Sequence, residues 1–343
     1  MKLEMTTDMD FLCARVRGLR SRLYSGPSLT ALTRLATGAA FFNEVLSGNV
    51  PASHTAGQRS IITAHVEHLC RLSKFLSGRR RLAFDWLVRR YQIENLKVIL
   101  RARAQEIDRE AVLDLLFEIP QEYSLPVDEI LAAKGVKALA GAIPVRPVAE
   151  GIMMVAGYPE DDRLPFFLET AVEMAYLSAC MDEISKVRHT ERARCAGLVA
   201  REVLCHNVLL VWRAIKTYSI EPPLVRDFVI KHGPFRTGRR FLQAFESGQP
   251  AEMLNALGPG LVLGRARGDI AAPADAEAAL QASLYRAAKR CYAESMFDFG
   301  VIVSYYYLKR FELQDLLRLS EAIRQGLGPD EAQAHLVTLE NIG

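Results

Sequence analysis

Apolar residues recur three and four positions apart along most of this chain, a spacing that brings them onto one face of an α-helix. Runs that alternate apolar and polar residues, as half-buried strands do, are absent. Proline and glycine interrupt the helical runs at short connections. The pattern therefore predicts an all-α protein. The clearest predicted helical segments are 10–25, 28–48, 58–78, 169–187 and 275–326.

A further helical segment, 87–102, carries an asparagine on its apolar face. Tyr91, Ile99 and Ala102 lie four before, four after and seven after Asn95, so the amide shares their side of the helix. A buried amide needs hydrogen-bond partners. The simplest interpretation is a satisfied core asparagine that determines how this helix packs against its surroundings.

The same arrangement recurs twice further along the chain, at offsets of 112 and 108 residues between successive polar positions. The polar residues are Asn95, Asn207 and Asp315. The helical segments that contain them are 87–102, 199–214 and 307–322. Each has an alanine seven positions after the polar residue, at Ala102, Ala214 and Ala322. Each is followed by a turn and an acid-led helical segment, at 107–117, 220–230 and 328–337.

This recurrence predicts three similar helical units, 1–109, 110–219 and 220–343, that together make one domain. Chance likeness is the alternative, because helical proteins share heptad-like patterns, but the nearly constant spacing and the similar following segments argue against it. The polar residue would then do one structural job in each unit. Asp315 replaces the amide with an acid, which must be either partly exposed or paired.

The charge of the chain is unevenly distributed. Of the 343 residues, half are hydrophobic and the net charge is only +3. Residues 1–109 nevertheless contain 18 Lys and Arg against 9 Asp and Glu, whereas the rest contains 25 against 31. A basic first unit fits an anionic partner surface, and it also fits ordinary solvated helix faces.

The compartment is predicted to be the cytoplasm. No apolar run approaches the roughly 18 residues of a spanning helix, so we expect no transmembrane segment. The acidic N-terminal stretch lacks the basic start and apolar core of a signal peptide. The six cysteines contain no C-x-x-C pair, which favours reduced, packed thiols over disulfides or a zinc site.

His65 and His68 are the residues most suggestive of chemistry. They lie three apart on one helical face, a spacing that can bind a transition metal, with Cys70 close by. No acidic or histidine cluster elsewhere completes such a site, so we favour a structural role. Cys205 and His206 are consecutive in a helix and point apart, which excludes a mutual thiolate–imidazole pair.

Binding of nucleotides or nucleic acids has little support in the sequence. No phosphate-binding loop is present, and the glycine-rich stretch 258–268 follows no predicted strand, so we predict a turn there. The arginines of 14–22 spread around much of their helix, and those of 78–82 form only a short run. We therefore assign no catalytic, cofactor-binding or metal-binding residue and expect no cofactor.

Four stretches, 10–25, 94–107, 202–216 and 305–327, resemble the C-subunit family of V/A-type rotary ATPases, the counterpart of the d subunit of eukaryotic V-ATPases. The likeness runs through the whole chain in order, although residues 120–170 and 230–275 contribute nothing to it. It implies three related helical units with pseudo-threefold arrangement, forming a funnel.

The resemblance also implies a function without catalysis. Members of the family act as a single-copy central-stalk connector on the cytoplasmic face of the membrane. They join the proteolipid ring to the central shaft, so that ATP-linked proton or sodium transport is coupled to rotation. Two alternatives remain from the residues alone: a helical metal-dependent enzyme that uses His65 and His68, and a soluble helical scaffold unrelated to membranes.

Overall fold

The computed structural model describes residues 7–158, 161–231, 243 and 273–339, and over these residues the fold is all-α, as predicted, with no strand among them. The α-helices are α1 (Thr7–Arg20), α2 (Pro27–Leu32), α3 (Gly38–Val45), α4 (His54–Ser73), α5 (Gly78–Val88), α6 (Arg90–Ala104), α7 (Arg109–Leu115), α8 (Val127–Ala132), α9 (Gly135–Ala142), α10 (Arg146–Met153), α11 (Leu164–Ser185), α12 (His189–Lys216), α13 (Pro222–Val225), α14 (Pro273–Glu294), α15 (Phe299–Gln325) and α16 (Pro329–Ala334). Short 3-10 helices span Gln121–Tyr123, Met154–Gly157 and Arg226–Phe228. The glycine-rich stretch 258–268, predicted as a turn, lies outside the described residues.

The chain divides into two compact units by its contacts. The first combines Met1–Arg81 with Gln281–Gly343, and the second is Leu82–Leu280. This division groups neighbours in space and does not test the three units inferred from the repeat, which stay a prediction.

Helix α15 forms the centre of the first compact unit, where it packs against α1, α3, α4 and α16. Tyr305, Tyr306 and Tyr307 are at most 1% exposed, so all three aromatic rings belong to the core. Three consecutive buried residues cover most of the circumference of a helix, which shows that this turn is surrounded by protein.

Helix α11 has the same central place in the second compact unit, where it packs against α6, α10 and α12. Gly151 allows α10 to approach α11 closely. A Cβ added at Gly151 would lie 2.7 Å from the Ala175 Cβ and 3.0 Å from the Ala171 carbonyl oxygen. The missing side chain therefore sets the distance between these two helices.

Two helices predicted as continuous are each broken in the structure. Segment 28–48 contains α2 and α3, and the side chain of Thr37 begins α3 by accepting a hydrogen bond from the Ala40 amide at 3.2 Å. Segment 275–326 contains α14 and α15, and Asp298 begins α15 by accepting from the Gly300 amide at 2.8 Å. In both cases a polar side chain caps a new helix inside an apolar repeat, which periodicity alone does not detect.

Helix α12 corrects the prediction that no apolar run reaches the length of a membrane span. His189–Ile215 is long and apolar enough by length and composition, with a mean hydropathy of 1.4 in its best window. However, 67% of that window is buried inside the protein, as in the core helix of a soluble protein. It is therefore weak evidence for a span.

Substituting Gly151 by alanine tests the close approach of α10 and α11. We expect Gly151→Ala to lower the free energy of unfolding by about 1–3 kcal/mol, because the new methyl group overpacks the contact with Ala175. Gly197→Ala in α12 is the matched control, since nothing lies within 4 Å of its added Cβ. The free energy of unfolding of the control should rise by about 0.5–1 kcal/mol, because alanine has fewer backbone conformations than glycine in the unfolded chain. Urea denaturation measures both, and equal midpoints would contradict the packing argument.

Candidate functional site

Asn95 fastens helix α6 to the chain that follows helix α7. Its Oδ1 accepts a hydrogen bond from the Phe117 amide at 2.9 Å, and its Nδ2 donates to the Phe117 carbonyl at 2.9 Å. The asparagine is 4% exposed. One side chain thus satisfies both the N–H and the C=O of Phe117, which lies just beyond the end of α7.

Asn207 makes the same pair of hydrogen bonds in helix α12. Its Oδ1 accepts from the Ile230 amide and its Nδ2 donates to the Ile230 carbonyl, both at 3.0 Å. Ile230 lies 23 residues after the asparagine, compared with 22 for Phe117 and Asn95. It likewise follows a short helical segment, here α13 and the 3-10 turn Arg226–Phe228.

Asp315 occupies the third equivalent position, in helix α15, and is fully buried. Its two carboxylate oxygens accept from the amides of Val337 at 2.9 Å and Thr338 at 2.8 Å, just beyond α16. Arg318 lies 3.4 Å from Oδ1. The prediction that this acid must be exposed or paired is confirmed, because it is paired on both oxygens.

The same three helices also end alike. The carbonyl of the alanine seven positions after the polar residue accepts a hydrogen bond from an apolar residue beyond the helix. These bonds are Ile107 to Ala102 at 2.9 Å, Ile220 to Ala214 at 2.8 Å, and Leu327 to Ala322 at 3.0 Å. The residue before each donor has a left-handed backbone: Glu106 (φ 52°), Ser219 (φ 51°) and Gly326 (φ 74°). The donor lies five residues after Ala102 and Ala322, as in a Schellman ending, and six residues after Ala214, which makes a wider turn there.

We name each of these arrangements a clasp: a buried Asn or Asp, the left-handed helix end, the short following helix and the backbone that the side chain binds. The expectation that the polar residue does one structural job three times is confirmed at this local level. The pseudo-threefold arrangement of whole units and their funnel shape are not tested by these contacts and stay predictions.

A half-buried ionic cluster joins three helices of the second compact unit. Arg90 of α6 binds Glu173 of α11 and, at 3.4 Å, Glu202 of α12. Lys97 lies 3.1 Å from Glu173 and 2.8 Å from Glu94. Burial alone would raise the pKa of Glu173, but Arg90 and Lys97 hold that pKa well below its ordinary value. The carboxylates and cations of the cluster are paired with one another.

His206 of α12 lies beside this cluster. Burial, helped by Lys97 and Arg90 and opposed by Glu173, lowers the pKa of its imidazole to about 4. The ring is therefore neutral near pH 7. Its Nε2 has no hydrogen-bond partner among the described residues.

His65 and His68 lie in the first compact unit and line a cavity of about 160 Å³ together with Arg71, Lys309 and Glu312. The Nε2 of His68 lies 2.9 Å from the Tyr305 hydroxyl. Burial, and then Lys309, lowers the pKa of both rings, to about 4 for His68. In the part of the chain that the structure describes, no three His, Cys, Asp or Glu residues are grouped as metal ligands would be. The structure thus brings the two histidines together without a third ligand there.

Another cavity, of about 920 Å³, lies between the start of α2 and the chain after α16. Among the residues that line it, Arg34 is the titratable one, and the others are small, apolar or neutral polar, such as Thr30 and Gln333. General acid–base or nucleophilic chemistry needs paired reactive groups. This lining does not provide such a pair.

The fold and its contacts define an all-α protein in which each of three long helices is clasped to the segment that follows it. The family model described as ATP synthase (C/AC39) subunit matches residues 12–335. The chain therefore belongs to this family of V/A-type rotary ATPase subunits, and the resemblance inferred from its four stretches is confirmed. Comparison with curated proteins finds no match.

Exchanging Asn and Asp between clasps tests their hydrogen bonds. We expect Asn95→Asp to lower the free energy of unfolding by about 1–3 kcal/mol, because a carboxylate cannot donate a hydrogen bond to the Phe117 carbonyl. Asp315→Asn should cost a similar amount, because the new amide group would face the N–H of Val337 or Thr338. Chemical denaturation gives both values.

The exposed substitutions Asn43→Asp and Asp182→Asn are the controls for this exchange, since they make the same chemical changes outside any clasp. Unfolding midpoints that stay at the wild-type value in both clasp variants would show that the amide and acid are interchangeable, against the assignment.

Acidification should destabilise the protein through His206. Its folded pKa of about 4 lies below the ordinary value of 6.5, so the unfolded chain binds the proton more tightly. The stabilising contribution is present above pH 6.5 and decreases as the pH falls towards 4. The free energy of unfolding should therefore decrease by up to about 2 kcal/mol through His206 as the pH falls from 7 to 5.

His206→Asn should flatten the decrease in unfolding free energy between pH 7 and 5, whereas His189→Asn, at an exposed histidine, should not. Denaturation at several pH values provides the comparison. An unchanged slope in His206→Asn would mean that other groups cause the pH dependence.

Proposed function

We propose that this protein is a non-catalytic connector of a V/A-type ATPase that joins the membrane proteolipid ring to the central shaft. It works as a single copy at the cytoplasmic face of the membrane and contributes mechanical coupling to ATP-linked ion transport. The observation that carries this proposal is the repeated clasp, and membership of the ATP synthase (C/AC39) subunit family supports it.

A connector that transmits torque needs helices that do not slide against their neighbours. The clasps meet this need, because the side chains of Asn95, Asn207 and Asp315 fasten long helices to backbone that is 22 or 23 residues away in sequence. Slippage along any of these helices would break two buried hydrogen bonds, and each unsatisfied group would cost about 1–3 kcal/mol. These directional hydrogen bonds therefore resist movement of one helix along another better than apolar contacts, which have no preferred direction.

The half-buried ionic cluster adds a second restraint of the same kind. Arg90, Glu173 and Glu202 come from three different helices, so rotation of one helix would separate their paired charges. Removing one partner should cost less than the roughly 3–5 kcal/mol of a fully buried pair, because water screens the partly exposed members. The cluster therefore favours one geometry of α6, α11 and α12 over neighbouring ones.

The three units proposed from the repeat, 1–109, 110–219 and 220–343, would each contribute one clasped helix to the connector. The local likeness of the clasps supports a repeat of this length, and the backbone that Asn95 and Asn207 bind belongs to the following unit. A funnel built from three such units would present a cavity for the shaft and a rim for the ring.

Reconstitution of the whole ATPase into vesicles, with and without this subunit, tests the proposal. We expect ATP hydrolysis by the isolated soluble sector to continue without the subunit, because the connector supplies no chemistry. Ion uptake by the whole complex should be lost without it and recover when the purified chain is added back. Hydrolysis and uptake are recorded together on the same vesicles.

Gly197→Ala, which leaves every described contact in place, is the control for the added chain and should restore uptake fully. Ion uptake that proceeds undiminished without the subunit would disprove the connector role. Loss of hydrolysis by the soluble sector alone would disprove the claim that the role is mechanical.

A further inference from the structure

One face of the first compact unit exposes large apolar side chains around helix α1. Phe11 is 60% exposed, Phe75 43%, Met296 66% and Phe297 56%. Such side chains are normally buried, so a group of them on one face indicates a contact surface.

Contacts of Arg15 and Arg17 place the end of α4 and the α14–α15 connection on the two sides of helix α1. The guanidinium of Arg15, one turn after Phe11, lies 4.5 Å from the centre of the Phe75 ring. Arg17 donates from Nη2 to the carbonyls of Ser295 at 2.7 Å and Met296 at 3.2 Å. Helix α1 thus touches both the end of α4 and the connection between α14 and α15. We call this surface the α1 face.

The α1 face also carries unpaired positive charge. Arg15, Arg71, Lys74 and Arg79 are exposed and have no acidic group within 4 Å among the described residues. Among the described residues, Arg17 binds carbonyl oxygens and a tyrosine ring and forms no ion pair with an acid.

The sequence of this region strengthens the positive field. Residues 71–79 contain three Lys and Arg, which are Arg71, Lys74 and Arg79, and no Asp or Glu. The acids with described side chains near this surface, on α1, the last turns of α4 and the α14–α15 connection, are Asp10, Glu67, Glu294 and Asp298. Asp298 is engaged in capping α15 through the Gly300 amide. The five cations named on this face outnumber these four acids, so the face carries a net positive charge and attracts anions.

We propose that the α1 face binds the anionic headgroups of a phospholipid surface. Phenylalanine and methionine side chains that project beside arginine and lysine match a membrane interface, where apolar groups enter the acyl boundary and cations contact phosphates. An acidic protein surface would bind the cations, but it would also need a separate pocket for each of the four protruding apolar side chains. This interaction goes beyond the connector role, which concerns protein partners, and it requires only the isolated chain.

Co-sedimentation of the purified full chain with vesicles tests the proposal. The probes are vesicles of phosphatidylcholine alone and of phosphatidylcholine with phosphatidylglycerol. We expect binding to the anionic vesicles and not to the neutral ones. Binding should weaken steeply when salt is raised, since exposed charges are screened within about 10 Å at 0.1 M ionic strength.

A triple variant, Arg71→Gln with Lys74→Gln and Arg79→Gln, removes three of the cations. It should lower partitioning onto anionic vesicles on the order of 100-fold, because each Lys or Arg near such a surface contributes roughly fivefold. The matched control removes three exposed cations of the second compact unit, Lys134→Gln with Lys137→Gln and Arg188→Gln. The control should bind as the wild type does.

A second variant, Phe11→Ser with Phe297→Ser, tests the apolar contribution while the charge stays constant. It should also bind less, and the unfolding midpoint of each variant confirms that it is folded. Absence of binding to anionic vesicles, equal losses in the triple variant and its control, or full binding by the phenylalanine variant would each overturn the proposal. Vesicle binding by the isolated chain is independent of ion uptake by the complex, so the two proposals can fail separately.

Discussion

The structure depends on one kind of contact, a buried side chain that satisfies backbone groups of a segment far along the chain. Short helices such as α7 and α16 have few internal hydrogen bonds, and the chain that leaves them must find partners elsewhere. Asn95 and Asp315 supply those partners from the middle of long helices. Each long helix thereby determines where the following segment lies, and the packing of the neighbouring helices follows from that position.

The choice between asparagine and aspartate depends on which hydrogen-bonding groups, N–H or C=O, the bound backbone offers to the side chain. Phe117 and Ile230 each present one donor and one acceptor, which an amide matches with its own acceptor and donor. Val337 and Thr338 present two donors, which a carboxylate matches with two acceptors. Burial of the negative charge is tolerated because two N–H groups and Arg318 surround it. The departure of Asp315 from the repeat is therefore an adaptation of the same contact to a different backbone register.

The sequence predicts the helical class and the clasp positions well, because both leave a local pattern. Asn95 and Asn207 interrupt apolar faces at helical spacing, and that interruption is visible without a structure. The partners of the clasps, such as Phe117, leave no such mark, since a backbone group looks the same at every residue. Helix breaks at Thr37 and Asp298 were missed for a related reason, because a capping side chain also occurs inside many helices. The ionic cluster escaped prediction since Arg90 and Glu202 are 112 residues apart.

Arginine and lysine serve two opposite purposes in this protein, and their surroundings distinguish them. Arg90 and Lys97 lie inside the second compact unit, where paired carboxylates neutralise them and helices are held together. Arg71 and Lys74 lie on the surface of the first compact unit and form no ion pair with a described acid, so their charge acts outward. Paired cations inside the protein hold helices in place, whereas exposed cations attract a partner. The number of Lys and Arg in residues 1–109 does not distinguish these two roles. Only the separation of paired from unpaired cations shows which of them are available for binding.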